Sequence, residues 1–305
     1  MSLQAEPICK EIVVDAHPVD PALRHDRLPH ILCAGCGIGP TIHCYAEAIA
    51  ESGIERRRHV CVSGIGCSGR AAGYMNLDSY HTTHGRAIPF ATGIAVQNPE
   101  LQVTVISGDG DLTGIGGNHF IHAARRNVDL NIICINNFNY GMTGGQAGPT
   151  TPTGALSSTT SFGCWDRPFN LPYLAHAVGA VFVARWTTLH VRQLKEAMVH
   201  AMTKKGFAFI EVISPCPTGF GRPNARGEGL EEMLTYRRRS RVDHDANLAD
   251  VGIDITDDNS PIIVGNFHDV ERPHFRPVLV GPARPPRSGA EWAPLRWTRE
   301  GLGNE

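Results

Sequence analysis

Apolar residues along the chain fall into short continuous runs separated by helix-spaced segments and glycine-rich turns. HVCVS (59–63), LQVTVIS (101–107), LNIICIN (130–136), VFVAR (181–185) and FAFIEVI (207–213) are β-type runs, most of them apolar on both faces, as in strands of a covered parallel sheet. Helical spacing lies between them. Thr41 to Ser52 sets Ile42, Tyr45, Ala46 and Ile49 on one face, and Gly53 offers a stop. Residues 84–97 contain a small-residue helix, and Gly114 to Arg126 and Leu171 to Val178 read as further helices. Leu189 to Met202 places Val191, Leu194, Ala197, Met198 and Ala201 on its apolar side. Strands alternating with helices predict an α/β fold, a mostly parallel sheet with helices on both faces. Chemistry in such sheets collects beyond the carboxyl ends of the strands. The loops there are GIGCSG (64–69), GDGD (108–111), NNFNYG (136–141) and SPCPTG (214–219).

Three further stretches frame this pattern. Residues 1–25 are mixed and polar and read as an N-terminal arm. Residues 137–170 form a long Gly/Thr/Ser/Pro-rich loop, a length that usually signals function. From 236 the chain turns charged (YRRRSRVDHD) and then Pro- and Arg-rich, so residues 26–235 read as the domain and 236–305 as a C-terminal tail that packs on a partner.

Composition narrows the function classes. The chain has 305 residues, is 42% hydrophobic and carries a net charge of −2. That is enough apolar material for a large core, and too little positive charge for a nucleic-acid or membrane-surface protein. No apolar run approaches a membrane span of about 18 residues. MSLQAEPICKEIVVD shows neither a secretion nor a transit pattern, so a cytoplasmic location is expected. Nine cysteines are unusual here. An odd number in a large chain of this kind argues against a disulfide scaffold, and leaves buried thiols or metal binding.

Cys33 and Cys36 form the one tight pair, in a turn that Gly35 and Gly37 are expected to make flexible. Cys67 and Cys216 sit in loops directly after strands, so they can reach the same sheet edge. Cys44, Cys61 and Cys134 fall within elements and read as core residues, while Cys9 lies in the arm and Cys164 in a loop. Spacing alone leaves two readings open, no metal at all or a four-thiolate iron–sulfur site. GIGCSG matches G-x-G-x-x-G, but no acidic residue follows at the distance a dinucleotide site needs. Asp109, at the tip of a buried strand between Gly108 and Gly110, suits a hard cation, and the glycines let backbone amides approach phosphate. Asn137 stands 28 positions on, one turn–helix–strand unit later. Both residues therefore emerge at one sheet edge, where they can share a Mg²⁺ ion.

GDGD, 24 intervening residues and NN resemble the thiamine-diphosphate signature. With CAGCG, GIGCSG, HGRA, NNFNYGMTGGQ and SPCPTG in this order, residues 26–235 resemble the β subunit of 2-oxoacid:ferredoxin oxidoreductases. The resemblance implies a thiamine-diphosphate-binding fold and a set of cofactor residues. Asp109, the Asn137 side chain and the Asn139 carbonyl would hold Mg²⁺. Ile65, Cys67, Gly108, Gly110, Asp111, Tyr140, Gly141 and Thr143 would surround the cofactor, and Cys33, Cys36, Cys67 and Cys216 would bind a [4Fe–4S] cluster. It also implies that His84 lines the cofactor pocket and that Arg70 is a cation near the cofactor or substrate. Where pyruvate enzymes carry an asparagine before TGG, this chain has Met142. The preferred substrate is therefore 2-oxoglutarate, with Arg70 pairing its second carboxylate; pyruvate and branched 2-oxoacids are the alternatives.

The implied activity is coenzyme A-dependent oxidative decarboxylation to succinyl-CoA, with electrons passing through the cluster to ferredoxin, or the reverse reaction fixing CO₂. The implied partners are ferredoxin and an α subunit that carries the pyrimidine domain and the cofactor-activating glutamate, in an (αβ)₂ assembly. The chain alone would then be inactive. Rival classes are a cluster-free lyase of the acetolactate-synthase kind and a simple iron–sulfur electron carrier.

Overall fold

Every apolar run named above becomes a strand. In the computed structural model, which describes residues 17–254, 257 and 259–275, the chain forms β1 (His59–Ser63), β2 (Asp78–His81), β3 (Gln102–Gly108) and β4 (Leu130–Asn136). A small hairpin, β5 (Asn139–Tyr140) and β6 (Gln146–Ala147), precedes β7 (Phe182–Thr187), β8 (Phe207–Ile213), β9 (Ser240–Val242) and β10 (Ile262–Asp269). The main sheet runs β2-β1-β3-β4-β8-β7-β10-β9. Pairing is parallel throughout except where β10 lies antiparallel to β7. The helices are α1 (Ile38–Glu51), α2 (Ala71–Tyr74), α3 (Ala87–Gln97), α4 (Gly117–Arg125), α5 (Leu171–Ala177), α6 (Val191–Thr203) and α7 (Gly229–Arg239).

Alternate residues of the central strands feed two cores. Ile106, Ile133 and Ile210 pack with Ile42, Tyr45 and Ile49 of α1 and Leu194 and Met198 of α6 on one face. Their neighbours Val105, Ile132 and Phe209 pack with Ile88 of α3, Phe120 of α4 and Leu171 of α5 on the other. Phe120 meets Phe207 and Phe209 edge-on at 5.5 and 5.3 Å, an arrangement that ring quadrupoles favour. The helices thus cover both faces, as the runs of doubly apolar residues predict. None of the described helices is long and apolar enough to cross a membrane.

The edges differ from the sequence reading. The domain does not end at 235: α7 runs across that point, and β10 joins the sheet with Ile262 and Val264 buried. Short apolar alternation set among charges and prolines hid this strand. The compact unit reaches Phe275, and residues 276–305 lie outside the described residues. β2 was also not predicted, because an edge strand with exposed Asp78, Tyr80 and His81 has no apolar run to read. Within the expected arm, Met1 to Ala16 lie outside the described residues. Val19 and Ala22 are buried, and Leu23 bridges to Met75, so residues 17–25 are part of the body. The stretch after GDG begins as a π-helical turn, Gly110–Ile115, before α4, a distortion that recurs at functional sites.

Candidate active site

β1, β3, β4 and β8 all end at one edge of the sheet, and their loops build two adjoining pockets. The first is lined by Ile65, Cys67, His84, Gly108, Asp109, Gly110, Asp111, Asn137, Asn139, Tyr140, Gly141, Met142 and Thr143, among others. The second, of about 230 Å³, is lined by Cys33, Cys36, Cys67 and Cys216 together with Asn137, Gly141, Met142 and neighbouring loop residues. Cys67, Asn137, Gly141 and Met142 belong to both. A Cβ at Gly141 would stand 3.5 Å from the Cys216 Sγ and 3.7 Å from the Cys67 Sγ, so this glycine is the thin wall between them.

In the first pocket three oxygen-bearing groups converge. The Asn137 amide head lies 2.8 Å from the Asn139 carbonyl oxygen and 3.3 Å from Asp109 Oδ1. Turned one way, the amide donates N–H to both; turned the other, it adds a third oxygen. Oxygen ligands on adjacent corners of a Mg²⁺ octahedron stand about 2.9 Å apart, so the set fits the cation that the sequence predicts. Asp109 is buried, Thr150 Oγ1 donates to its Oδ2, and burial pushes its carboxyl up to about 7. A buried ionised carboxylate needs a compensating charge, and a cation would supply it. Gly110 is required here, because a Cβ would lie 2.3 Å from the Tyr140 ring.

Asp111 plays a different part from the one its motif suggests. Its Oδ1 accepts from Ile65 N–H (3.0 Å), Gly85 N–H (2.8 Å) and His84 Nδ1 (2.5 Å), and its Oδ2 accepts from Ser107 Oγ (2.8 Å). Four protein donors occupy the carboxylate, which therefore ties the GIGCSG loop and His84 to the GDGD turn. Gly64 makes room for it: a Cβ there would lie 1.9 Å from Asp111 Oδ2. The glycines of GIGCSG thus serve this carboxylate and the tight turn. His84, fixed by Asp111, stands edge-on to Tyr140 with centroids 6.1 Å apart and lines the pocket.

The thiols gather as their positions in the sequence allow. Cys36 feels the charges of Cys216, Cys67 and Cys33, and burial pushes its thiol up to about 12. Burial raises Cys67 and Cys216 as well. Thiols that resist ionisation in this way become thiolates only beside a strong positive centre, which bound iron provides. Among the described residues no three thiols bring Sγ atoms within 4.8 Å of one another. A single tetrahedral Zn²⁺ needs Sγ atoms about 3.8 Å apart, closer than any three of these thiols come. Contacts hold the Cys33–Cys36 turn that its glycines were expected to loosen. Gly35, at φ 76°, packs on the Gly229 backbone, where a Cβ would come within 2.9 Å, and Gly37 N–H donates to Pro215 O at 3.3 Å. The eight described cysteines are all free; Cys44, Cys61, Cys134 and Cys164 are buried apart from this pocket.

Arg70 does not line the Asp109 pocket. It lines a neighbouring cleft of about 450 Å³ together with Arg24, Arg27, Tyr80 and His81, and among the described residues no carboxylate lines that cleft. Its charge does reach Cys67, where it opposes the rise that burial causes. Thr150 and the buried Arg185–Glu211 pair are the residues that sequence reasoning missed, since neither lies near a motif.

This arrangement is that of a thiamine-diphosphate enzyme. Residues 64–212 match the family model described as the thiamine pyrophosphate enzyme, C-terminal TPP binding domain. The chain is 48% identical to a 2-oxoglutarate synthase subunit KorB from Methanocaldococcus jannaschii, over 85% of this chain and 94% of that protein. It is 45% identical to the subunit of the same name from Methanothermobacter marburgensis, over 88% and 93%. Its fold matches the 2-oxoglutarate:ferredoxin oxidoreductase from Magnetococcus marinus, solved with 2-oxoglutarate, coenzyme A and succinyl-CoA bound. The TM-score is 0.73 and the identity 30%, over 85% of this chain and 87% of that one. The chain belongs to the β-subunit family of 2-oxoacid:ferredoxin oxidoreductases.

Proposed function

We propose that this chain is the cofactor-holding β subunit of a 2-oxoglutarate:ferredoxin oxidoreductase, active only with an α subunit that completes the site. The observation that carries the reading is the pair of pockets sharing Cys67, Asn137, Gly141 and Met142, one with three converging oxygen groups and one with four thiols. Asp109, Asn137 and the Asn139 carbonyl would hold Mg²⁺ and through it the diphosphate, with Gly108 and Gly110 admitting the backbone. Cys33, Cys36, Cys67 and Cys216 would hold a [4Fe–4S] cluster. When bound, thiamine diphosphate supplies the electron sink for decarboxylation and the cluster supplies one-electron transfer. The chain's own residues fix the geometry. Asp111 orients His84 against the cofactor pocket, and Gly141 keeps the distance between the pockets to a single residue.

Three features support 2-oxoglutarate as substrate: the relatives' names, Met142 in the pocket wall, and the cleft of Arg24, Arg27 and Arg70 near Cys67. A guanidinium suits a second carboxylate. The test is turnover with coenzyme A and ferredoxin, with and without the α subunit. The expected result is reduction of ferredoxin with 2-oxoglutarate well above that with pyruvate or branched 2-oxoacids, and none by the β subunit alone. A clear pyruvate preference would overturn the substrate, and robust turnover by the β subunit alone would overturn the partnership.

A further inference from the structure

The turn that carries Asn137 and Asn139 is braced from its first residue into the sheet by an ion pair that lies outside every motif. Asn136, at the end of β4, donates from Nδ2 to Glu211 Oε1 at 2.7 Å and accepts at Oδ1 from Phe138 N–H at 3.1 Å. Glu211, on β8, accepts at Oε2 from Arg185 Nε of β7 at 2.5 Å. Arg185 Nη1 then donates to the carbonyl of Val251 at 2.5 Å and reaches that of Ile263 at 3.5 Å. Asn136 is 2% exposed, and Glu211 and Arg185 are 1% exposed each.

Two facts make this chain of bonds more than packing. A buried ion pair contributes little net stability, because desolvating both charges offsets their attraction; apolar residues would serve as well in this core. And Phe138 sits at φ 63°, a left-handed conformation that a phenylalanine adopts only when its surroundings impose it. The Asn136 side chain imposes it from one side through Phe138 N–H. From the other side, Thr151 Oγ1 donates to Phe138 O at 2.6 Å. The kink at Phe138 turns the Asn139 carbonyl back to 2.8 Å from the Asn137 amide, which itself lies 3.3 Å from Asp109 Oδ1.

We infer that Arg185, Glu211 and Asn136 are positioning residues that set the Asn137–Asn139 turn for cation binding and anchor it to the C-terminal segment through the Val251 and Ile263 carbonyls. The inference rests on the cofactor reading above. Its test uses the enzyme reconstituted with its α subunit and reads the Mg²⁺ concentration for half-maximal activity, kcat at saturating Mg²⁺, and the visible absorbance of the cluster. Glu211→Gln and Asn136→Ala should each raise the half-saturating Mg²⁺ about tenfold or more, the cost typical of losing a partner that orients a metal ligand. kcat at saturation should stay within about twofold, and the absorbance should not change. Asn136→Ala keeps the Arg185–Glu211 pair, so it carries the test if Glu211→Gln does not fold. A lower melting temperature with unchanged Mg²⁺ half-saturation in Asn136→Ala would overturn the inference. Asp109→Ala separates the two levels. If it abolishes Mg²⁺-dependent cofactor binding while Asn136→Ala and Glu211→Gln bind normally, the positioning role alone fails. If Asp109→Ala binds like the wild type, the pocket reading fails and takes the inference with it.

Discussion

At the scale of single residues, Asp109 concentrates the chemistry. Its carboxyl is pushed up to about 7 by burial, whereas an aspartate in an unfolded chain titrates near ~3.9. The folded chain therefore holds this proton more tightly than the unfolded one. Without a cation, Asp109 destabilises the fold increasingly as pH rises from about 4 to about 7, and fully above that. Mg²⁺ bound there would relieve the penalty, but below about pH 7 it would have to displace a proton. The affinity for Mg²⁺–thiamine diphosphate should thus fall about tenfold between pH 8 and pH 6, and the rise in melting temperature on adding both should be larger at pH 8. Titration calorimetry and thermal scans at the two pH values check this, and equal affinities would remove Asp109 from the ligand set. Its place in the pocket was legible in the sequence, because GDGD and NN fall at the ends of adjacent strands. Its partner Thr150 was not: it comes from a loop 41 residues away whose path no local pattern encodes. Asp111 was legible as a site residue but not in its role, since a motif shows where a carboxylate stands and not which donors surround it.

Whole elements were legible in proportion to how deeply they are buried. β1, β3, β4 and β8 are covered on both faces and read as unbroken apolar runs. β2 and β10 lie toward the sheet's margins, where exposure mixes polar residues into the run. β10 is nonetheless structural. It pairs with β7, Trp186 Nε1 donates to its Asn266 Oδ1 at 3.0 Å, and Ile262 and Val264 are fully buried. Ile262→Ala should lower the stability of the chain by about 2–5 kcal/mol, the usual cost of emptying such a site, as read from denaturant unfolding. A loss below about 1 kcal/mol would return this strand to the status of a dispensable tail.

For the molecule as a whole, the decisive feature is that loops from separate strands meet at one edge and build both pockets. A cluster-free lyase would need only the Asp109 side, and an electron carrier only the thiol side. Anaerobic analysis of the purified chain should therefore find about four iron and four sulfide per chain alongside stoichiometric thiamine diphosphate; either one without the other would favour a rival class. The shared wall carries a further consequence for divergence within the family. Met142 borders the Asp109 pocket and the thiol pocket together, and a cluster's potential responds to the polarity beside its sulfurs. A replacement that adapts the pocket to another 2-oxoacid would also shift the voltage at which electrons leave. If the thiols hold a cluster and Met142 meets the substrate, substrate choice and driving force would be inherited together at this position, and a lineage that changed its acid would also have to retune its electron acceptor.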